Sequence, residues 1–329
     1  MELLRIVLDA VSGRRHVVKY PCRILGRIVN DNKGLVEVLR HGFFLFTYRM
    51  NFSPLPHSLV TSDKGWGCLA RSSQMLLAYA LWCYSENGCR LEYFRDLDTA
   101  EGAPFSLHNM VRAVMKKTDV FSPEYWTPSQ GCEAIRCCVN NAVDQRIIPP
   151  ISVIVCSQGC LLAREICASL ESRPVLILAP MRCGVSRRMT QMMFFSLEYL
   201  LHSSACLGVV GGVPNRSYYI LGSSCQQLLY LDPHCMTQNA LLSCRAEEET
   251  GIVTATASLI RCVQWDRLDT SCFFGFLVGS LAEWSVLRTR LEELQLQGLD
   301  QLLCVSDDDM GDHLDEEVAR WPSEEDVAG

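Results

Sequence analysis

Apolar residues recur along this chain in two rhythms. From Cys68 to about Tyr84 they fall at helical spacing, with Leu69, Met75 and Leu76, Tyr79 and Ala80, and Cys83 on one face, which predicts a helix with Cys68 at its start. A second helix is predicted over residues 106–117, with Ser106 as its cap and Leu107, Met110, Val111 and Val114 along one side. Further helices are predicted over residues 130–142, ending near Tyr199 and Leu200, and over residues 283–296. Short apolar runs bounded by turn residues read as strands at 151–155, 175–178, 207–210, 218–221, 228–231 and 273–277. The runs at 207–231 are expected to form an antiparallel set bounded by glycines and a Gly-Ser turn, while residues 24–46 read as strands and loops. The order of elements, with no internal repeat and no Gly/Ser linker, predicts one α+β domain over residues 1–306 with a small inserted subdomain somewhere within 88–175.

Composition agrees with a globular chain. Of 329 residues, 49% are hydrophobic and 20% charged, enough to bury a large core. Glu2, Arg5 and Asp9 interrupt the opening apolar run, so it does not read as a signal peptide. No apolar stretch approaches the ~18 residues that cross a bilayer, and residues 272–279 are too few. A cytoplasmic location is therefore expected. The 18 cysteines are scattered and include no Cys-x-x-Cys pair, which favours reduced, mostly buried thiols over a disulfide framework. Cys132, Cys137 and Cys138, or Cys156 and Cys160, lack the spacing of zinc ribbons or fingers, so no metal is expected.

Charge is uneven. Residues 307–329 hold ten acidic side chains against one arginine, leaving the remainder near +2 once this tail's −9 is taken from the total of −7. Such a tail is expected to be disordered, serving either solubility or contact with a partner. Basic patches interleaved with aromatics are absent, which argues against nucleic acid.

The candidate chemistry lies at two distant places. In Thr61-Ser62-Asp63-Lys64-Gly65-Trp66-Gly67-Cys68, a cysteine follows a Gly-Trp-Gly turn and opens the predicted helix. Unsatisfied N–H groups and the positive end of the helix dipole there favour a thiolate. Far downstream, Leu231-Asp232-Pro233-His234 places a carboxylate two residues before an imidazole at the end of an apolar run. In extended chain, residues i and i+2 share a face, so Asp232 can hold one ring nitrogen of His234 and leave the other for the sulfur of Cys68. Taken singly, Cys68 fits equally a small buried apolar residue, and Asp-Pro-His an ordinary turn.

In order along the chain, residues 46–52 (Phe-Thr-Tyr-Arg-Met-Asn-Phe), Thr61-Ser62-Asp63 with Gly65-Trp66-Gly67-Cys68, Arg71 with Gln74-Met75, Tyr125-Trp126 and residues 174–182 carry a resemblance. It continues through residues 207–215 with Tyr218, and through Leu231-Asp232-Pro233-His234 with Thr237-Gln238. Over roughly residues 40–285 this pattern resembles the autophagins, cysteine peptidases that process the ubiquitin-like modifier of autophagy. Lys64, where the family often has a small residue, and the looser match at residues 70–73 depart from it.

The resemblance implies a papain-like cysteine peptidase fold. It makes Cys68 the nucleophile, His234 the general base and acid, Asp232 its orienter, and Tyr48 a donor near the oxyanion. It makes Trp126 a cover that clamps the residues before the scissile bond, and Gly211-Gly212-Val213-Pro214-Asn215 a gating loop hinged on its glycines. From the residues alone, Trp126 also fits a core or surface aromatic, and the glycine pair a hairpin turn. The implied activity is cleavage after the C-terminal glycine of the modifier, both in its precursor and on phosphatidylethanolamine. A monomer is expected, with no cofactor and only transient access to membrane-bound substrate. The alternatives are a deubiquitinase or general papain-like peptidase, and a module that binds the modifier without cutting it. Family members dock the modifier through short motifs with an aromatic and, three residues on, an aliphatic residue. Trp321-Pro322-Ser323-Glu324 fails that pattern, and Trp265-Asp266-Arg267-Leu268 fits its letters but lies inside the predicted domain.

Overall fold

A computed structural model describes residues 18–85, 89–98, 102–115, 121–156, 159–182, 189–240 and 252–307. The acidic tail from residue 308 lies outside the described residues, as does the chain before residue 18. Asp307, the first residue of the expected tail, is held against helix 281–296 by a two-pronged ion pair with Arg288, at 2.7 and 2.9 Å.

The frame is a nine-stranded mixed sheet. Its strands are β1 (Cys22–Ile24), β2 (Arg27–Val29), β5 (Ser152–Val155), β7 (Val175–Arg182), β8 (Cys206–Val213), β9 (Arg216–Ser224), β10 (Gln227–Leu231), β13 (Arg261–Gln264) and β14 (Ser271–Val278). The main path runs β13-β10-β9-β8-β14-β7-β5, with the β1–β2 hairpin attached to β9. All pairs are antiparallel except β5 with β7. Short pairs lie outside the sheet: β3 (Phe44–Leu45) with β12 (Val253–Thr254), β4 (Tyr48–Met50) with β11 (Thr237–Asn239), and β6 (Cys160–Leu162) with β15 (Cys304–Ser306).

β14 explains the layering. Its sequence Ser-Cys-Phe-Phe-Gly-Phe-Leu-Val is nearly unbroken apolar, and Phe273, Phe274 and Phe276 are fully buried. Neighbouring strand residues point to opposite faces, so such a run needs cover on both. Helices α2 (Cys68–Tyr84), α3 (Leu107–Val114) and α4 (Pro128–Asp144) pack together and against the sheet. A second group, α5 (Ala163–Leu170), α6 (Gln191–Leu201) and α7 (Leu281–Leu296), packs with β7, β8, β9 and β14. α2 is buried at every position from Cys68 to Leu81, beyond the single face that its spacing suggested.

The predicted helices and strands occur close to their expected places, with three differences. Residues 32–39 form helix α1 (Asn32–Leu39) rather than strand or loop: Asp31 caps it by accepting from Gly34 N–H at 2.8 Å, and Leu35 and Leu39, one turn apart, are fully buried. The turn after β9 is Cys225-Gln226, both at positive φ, while Gly222-Ser223 continues the strand. Gly222 stands opposite Ile24 of β1, and a Cβ there would collide with the Arg23 carbonyl. Helix 163–170 was not anticipated. Residues 88–175, where an inserted subdomain was expected, supply α3 and α4 beside α2, edge strand β5, and β6 and α5.

Trp265-Asp266-Arg267-Leu268 is part of the domain. Trp265 to Arg267 form a helical turn, Leu268 is buried, and the Trp265 ring lies 6.5 Å from Phe194.

Candidate active site

The turn before α2 is set by Asp63. Its carbonyl accepts the N–H groups of Trp66 (3.3 Å) and Gly67 (2.9 Å), and Trp66 Nε1 donates to the Ser62 carbonyl at 3.0 Å. Gly65, at φ 92°, makes the left-handed step that this turn requires. Gly67 is then the helix cap and offers no side-chain acceptor, so the first N–H groups of α2 remain open around Cys68. The sulfur thus sits at the positive end of the helix, almost sealed from solvent.

The base arrives from β10. Asp232 Oδ1 accepts two bonds, from His234 N–H at 2.9 Å and from His234 Nδ1 at 2.6 Å. The expected route to this contact, an extended chain with both side chains on one face, is corrected here. Pro233 to Cys235 form a single helical turn capped by Asp232, and Pro233 takes the first position, where a missing N–H costs nothing. With Nδ1 committed to Asp232, the other ring nitrogen is left for Cys68, and the two side chains are near enough that each shifts the protonation of the other. The chain then enters β11, which runs parallel to β4 and sets Thr237 opposite Tyr48. Tyr48 packs edge-on to the imidazole at 5.2 Å and Tyr218 at 5.8 Å, so aromatic rings bracket it.

Electrostatics follow this geometry. Burial alone would raise the Cys68 thiol, but the His234 hydrogen bond, the Ser217 backbone N–H, the His234 charge and the Tyr48 hydroxyl together hold it below its ordinary value. Burial likewise works against a charged His234, yet Asp232 and Cys68 raise it to about 9. Each partner therefore favours the charged form of the other, thiolate beside imidazolium. Burial, and next the neighbouring sulfur, push the Tyr48 hydroxyl well above its ordinary range, so it remains a donor aimed at the sulfur.

The structure thus brings Cys68, His234, Asp232 and Tyr48 together. Trp126 is buried, its ring 6.5 Å from that of Trp66, two residues before Cys68, and it immediately precedes the Thr127 cap of α4. The expected gating loop is corrected. Gly211 and Gly212 are strand residues of β8: Gly211 pairs with Tyr218 on one side and Cys272 on the other, and the Gly212 carbonyl accepts from Asp269 N–H at 2.7 Å. A Cβ on Gly211 would lie 2.6 Å from that of Cys272, so close packing rather than hinge freedom accounts for this glycine. Only Pro214 and Asn215 form the connection to β9. Pro first, then Asn at φ 64°, is the pattern of a two-residue type II turn.

Sequence reasoning missed the Ser217 N–H, because backbone donors carry no residue signal. It also gave no role to Asp63 and Arg71, although both stand in the matched motif.

Comparison with known proteins agrees with the site. The family model for the peptidase C54 catalytic domain matches residues 39–290. The chain is 31% identical over 261 residues to a probable cysteine protease atg4 of Schizosaccharomyces pombe, covering 78% of this chain and 77% of that one. It is 30% identical over 325 residues to the cysteine protease ATG4 of Candida albicans, covering 85% and 70%. A probable cysteine protease ATG4 of Meyerozyma guilliermondii is 36% identical over 241 residues, covering 71% and 55%. The matched span begins ahead of Tyr48 and ends beyond β14, so it contains the thiol, the imidazole and every strand of the sheet that carries them except the β1–β2 hairpin. The chain belongs to the peptidase C54 family, the autophagins that its motifs resemble, and is a cysteine peptidase.

Proposed function

We propose that this peptidase cleaves the amide bond after the C-terminal glycine of a ubiquitin-like autophagy modifier, in its precursor and in its conjugate with phosphatidylethanolamine. The observation that carries the reading is the Asp232–His234 hydrogen bond set beside Cys68 at the start of α2, with imidazole and thiol each shifting the protonation of the other.

In this reading the Cys68 thiolate attacks the glycine carbonyl carbon. The resulting oxyanion meets the Cys68 backbone N–H and the Tyr48 hydroxyl. His234 then gives its proton to the departing amine, the C–N bond breaks, and a thioester remains. Neutral His234 takes a proton from water, hydroxide adds to the thioester, and the glycine carboxylate leaves as the thiolate re-forms. Asp232 holds the ring in the tautomer that both transfers require.

Trp126 and the Pro214–Asn215 tip of the hairpin are assigned to the cleft around the residues before the cut. A narrow cleft there selects glycine because any side chain would need room. Since Gly211 and Gly212 are fixed in the sheet, with β8 paired to β14 and β9 to β10, admission of a substrate tail falls to the Pro214–Asn215 tip.

The test is incubation of the full chain with a modifier precursor, followed by mass analysis of the product. The expected product ends at the glycine, and Cys68→Ala yields none. Cleavage elsewhere, or undiminished cleavage by Cys68→Ala, would overturn the assignment.

A further inference from the structure

Beneath the reacting residues lie two arginines and two aspartates, Arg49, Arg71, Asp63 and Asp96, with side chains at most 7% exposed. Arg71 Nε donates to Asp63 Oδ2 at 2.5 Å, while Arg71 Nη1 lies 2.9 Å from Asp96 Oδ1 and donates to Gln74 Oε1 at 3.0 Å. Arg49 Nε lies 3.7 Å from Asp96 Oδ2. The Arg49 backbone N–H donates to Asp63 Oδ1 at 2.6 Å, and its Nη1 donates to Gln238 Oε1. The charges balance, and none touches the scissile bond in the proposed chemistry.

What these residues share is their position in sequence. Arg49 follows Tyr48 on β4. Asp63 shapes the turn that delivers Cys68. Arg71 is three residues beyond Cys68 on α2, and Gln238 stands on β11, opposite Arg49 and four residues beyond His234. One connected set of buried hydrogen bonds and ion pairs therefore joins the segment bearing the sulfur, the segment bearing the tyrosine and the segment bearing the imidazole. Balanced buried ions contribute little net stability compared with well-packed apolar side chains. What they supply is direction, because a guanidinium fork fixes where its partners sit. Asp63 and Asp96 hold Arg71 charged despite its burial. Arg49 has less support: burial lowers it to about 10, with Asp96 opposing that shift and Arg71 adding to it.

We propose that Arg49, Asp63, Arg71 and Asp96, with Gln238, are positioning residues that set the spacing between the Cys68 sulfur and the His234 ring, the Arg49–Gln238 bond being the side-chain link from the nucleophile side to the base side. The proposal rests on Cys68 and His234 being the reacting pair.

Gln238 is the place to test it, since it is only half-buried, whereas loss of Arg71 would strand two buried carboxylates and threaten folding. In the full chain, iodoacetamide alkylation of Cys68 is followed from pH 4 to pH 10 by peptide mass spectrometry, beside kcat and KM for a modifier precursor and a thermal melt. Gln238→Met is expected to shift the acid limb of Cys68 alkylation upward by about one pH unit and to lower kcat about tenfold, with KM within about twofold. Gln238→Glu restores an acceptor for Arg49 and is expected to bring the acid limb back to within about half a pH unit, and kcat to within about threefold, of the parent. The proposal is overturned if Gln238→Met leaves the alkylation profile and kcat unchanged, if it lowers only the melting temperature, or if Gln238→Glu fails to restore them. If Cys68 in the parent already titrates as an ordinary thiol, the reacting pair itself is misassigned and the positioning frame falls with it.

Discussion

Asp232 and Cys68 compete with burial for the proton of His234, and they prevail, raising it to about 9. The same contact lowers the thiol, since each charged partner stabilises the other. The sign of the pH dependence follows. Thiolate is present above the lowered value of Cys68 and imidazolium below about 9, so the competent pair exists between two limits that belong to the pair jointly. kcat/KM is expected to fall on the alkaline side near pH 9 as the imidazolium is lost. Its acid limb should lie below the ~8.5 of a free cysteine. A kcat/KM profile measured from pH 4 to pH 10 checks this. An alkaline limb near the ~6.5 of an unperturbed imidazole would mean that Asp232 and Cys68 do not hold the proton.

At the scale of elements, α4 shows how a local rule fixes a functional position. Thr127 and Gln130 form a reciprocal cap: Gln130 N–H donates to Thr127 Oγ1 at 3.3 Å, and Thr127 N–H to Gln130 Oε1 at 2.8 Å. That cap sets where the helix begins, and hence where Trp126, the residue before it, meets Trp66. Thr127→Ala is expected to lower stability by about 1 kcal/mol, read as a reduced urea midpoint with an unchanged slope. α1 makes the contrasting point. Its Gly34 weakens local helix preference and its apolar spacing is short, yet the burial of Leu35 and Leu39 with the Asp31 cap makes it a helix. The β8–β9 connection is similar. Gly-Gly reads locally as a hinge, and only the pairing of β8 with β14 turns those glycines into contact points.

For the whole molecule, one apolar core joins both helix groups through the sheet. Phe273, fully buried on β14 in the interior of the sheet, should therefore affect global stability rather than one edge. Phe273→Ala is expected to cost about 3–5 kcal/mol. Urea unfolding followed by both tryptophan fluorescence and far-ultraviolet circular dichroism should show coincident, shifted transitions; separate transitions would indicate independent units.

The sequence by itself determined the chemistry and much of the framework. A cysteine opening a long apolar helix, an acid two residues before a histidine, and strands written as apolar runs are all local patterns, and local backbone preference and burial period suffice to read them. Tertiary structure decided the rest. That Ser217 comes to Cys68, and that Arg49, Asp63, Arg71 and Asp96 lock together, depends on approaches between separate segments of the chain. Residue identity records which groups can bond, but the partners are chosen only when packing excludes water and leaves each buried charge few places to find a counterpart.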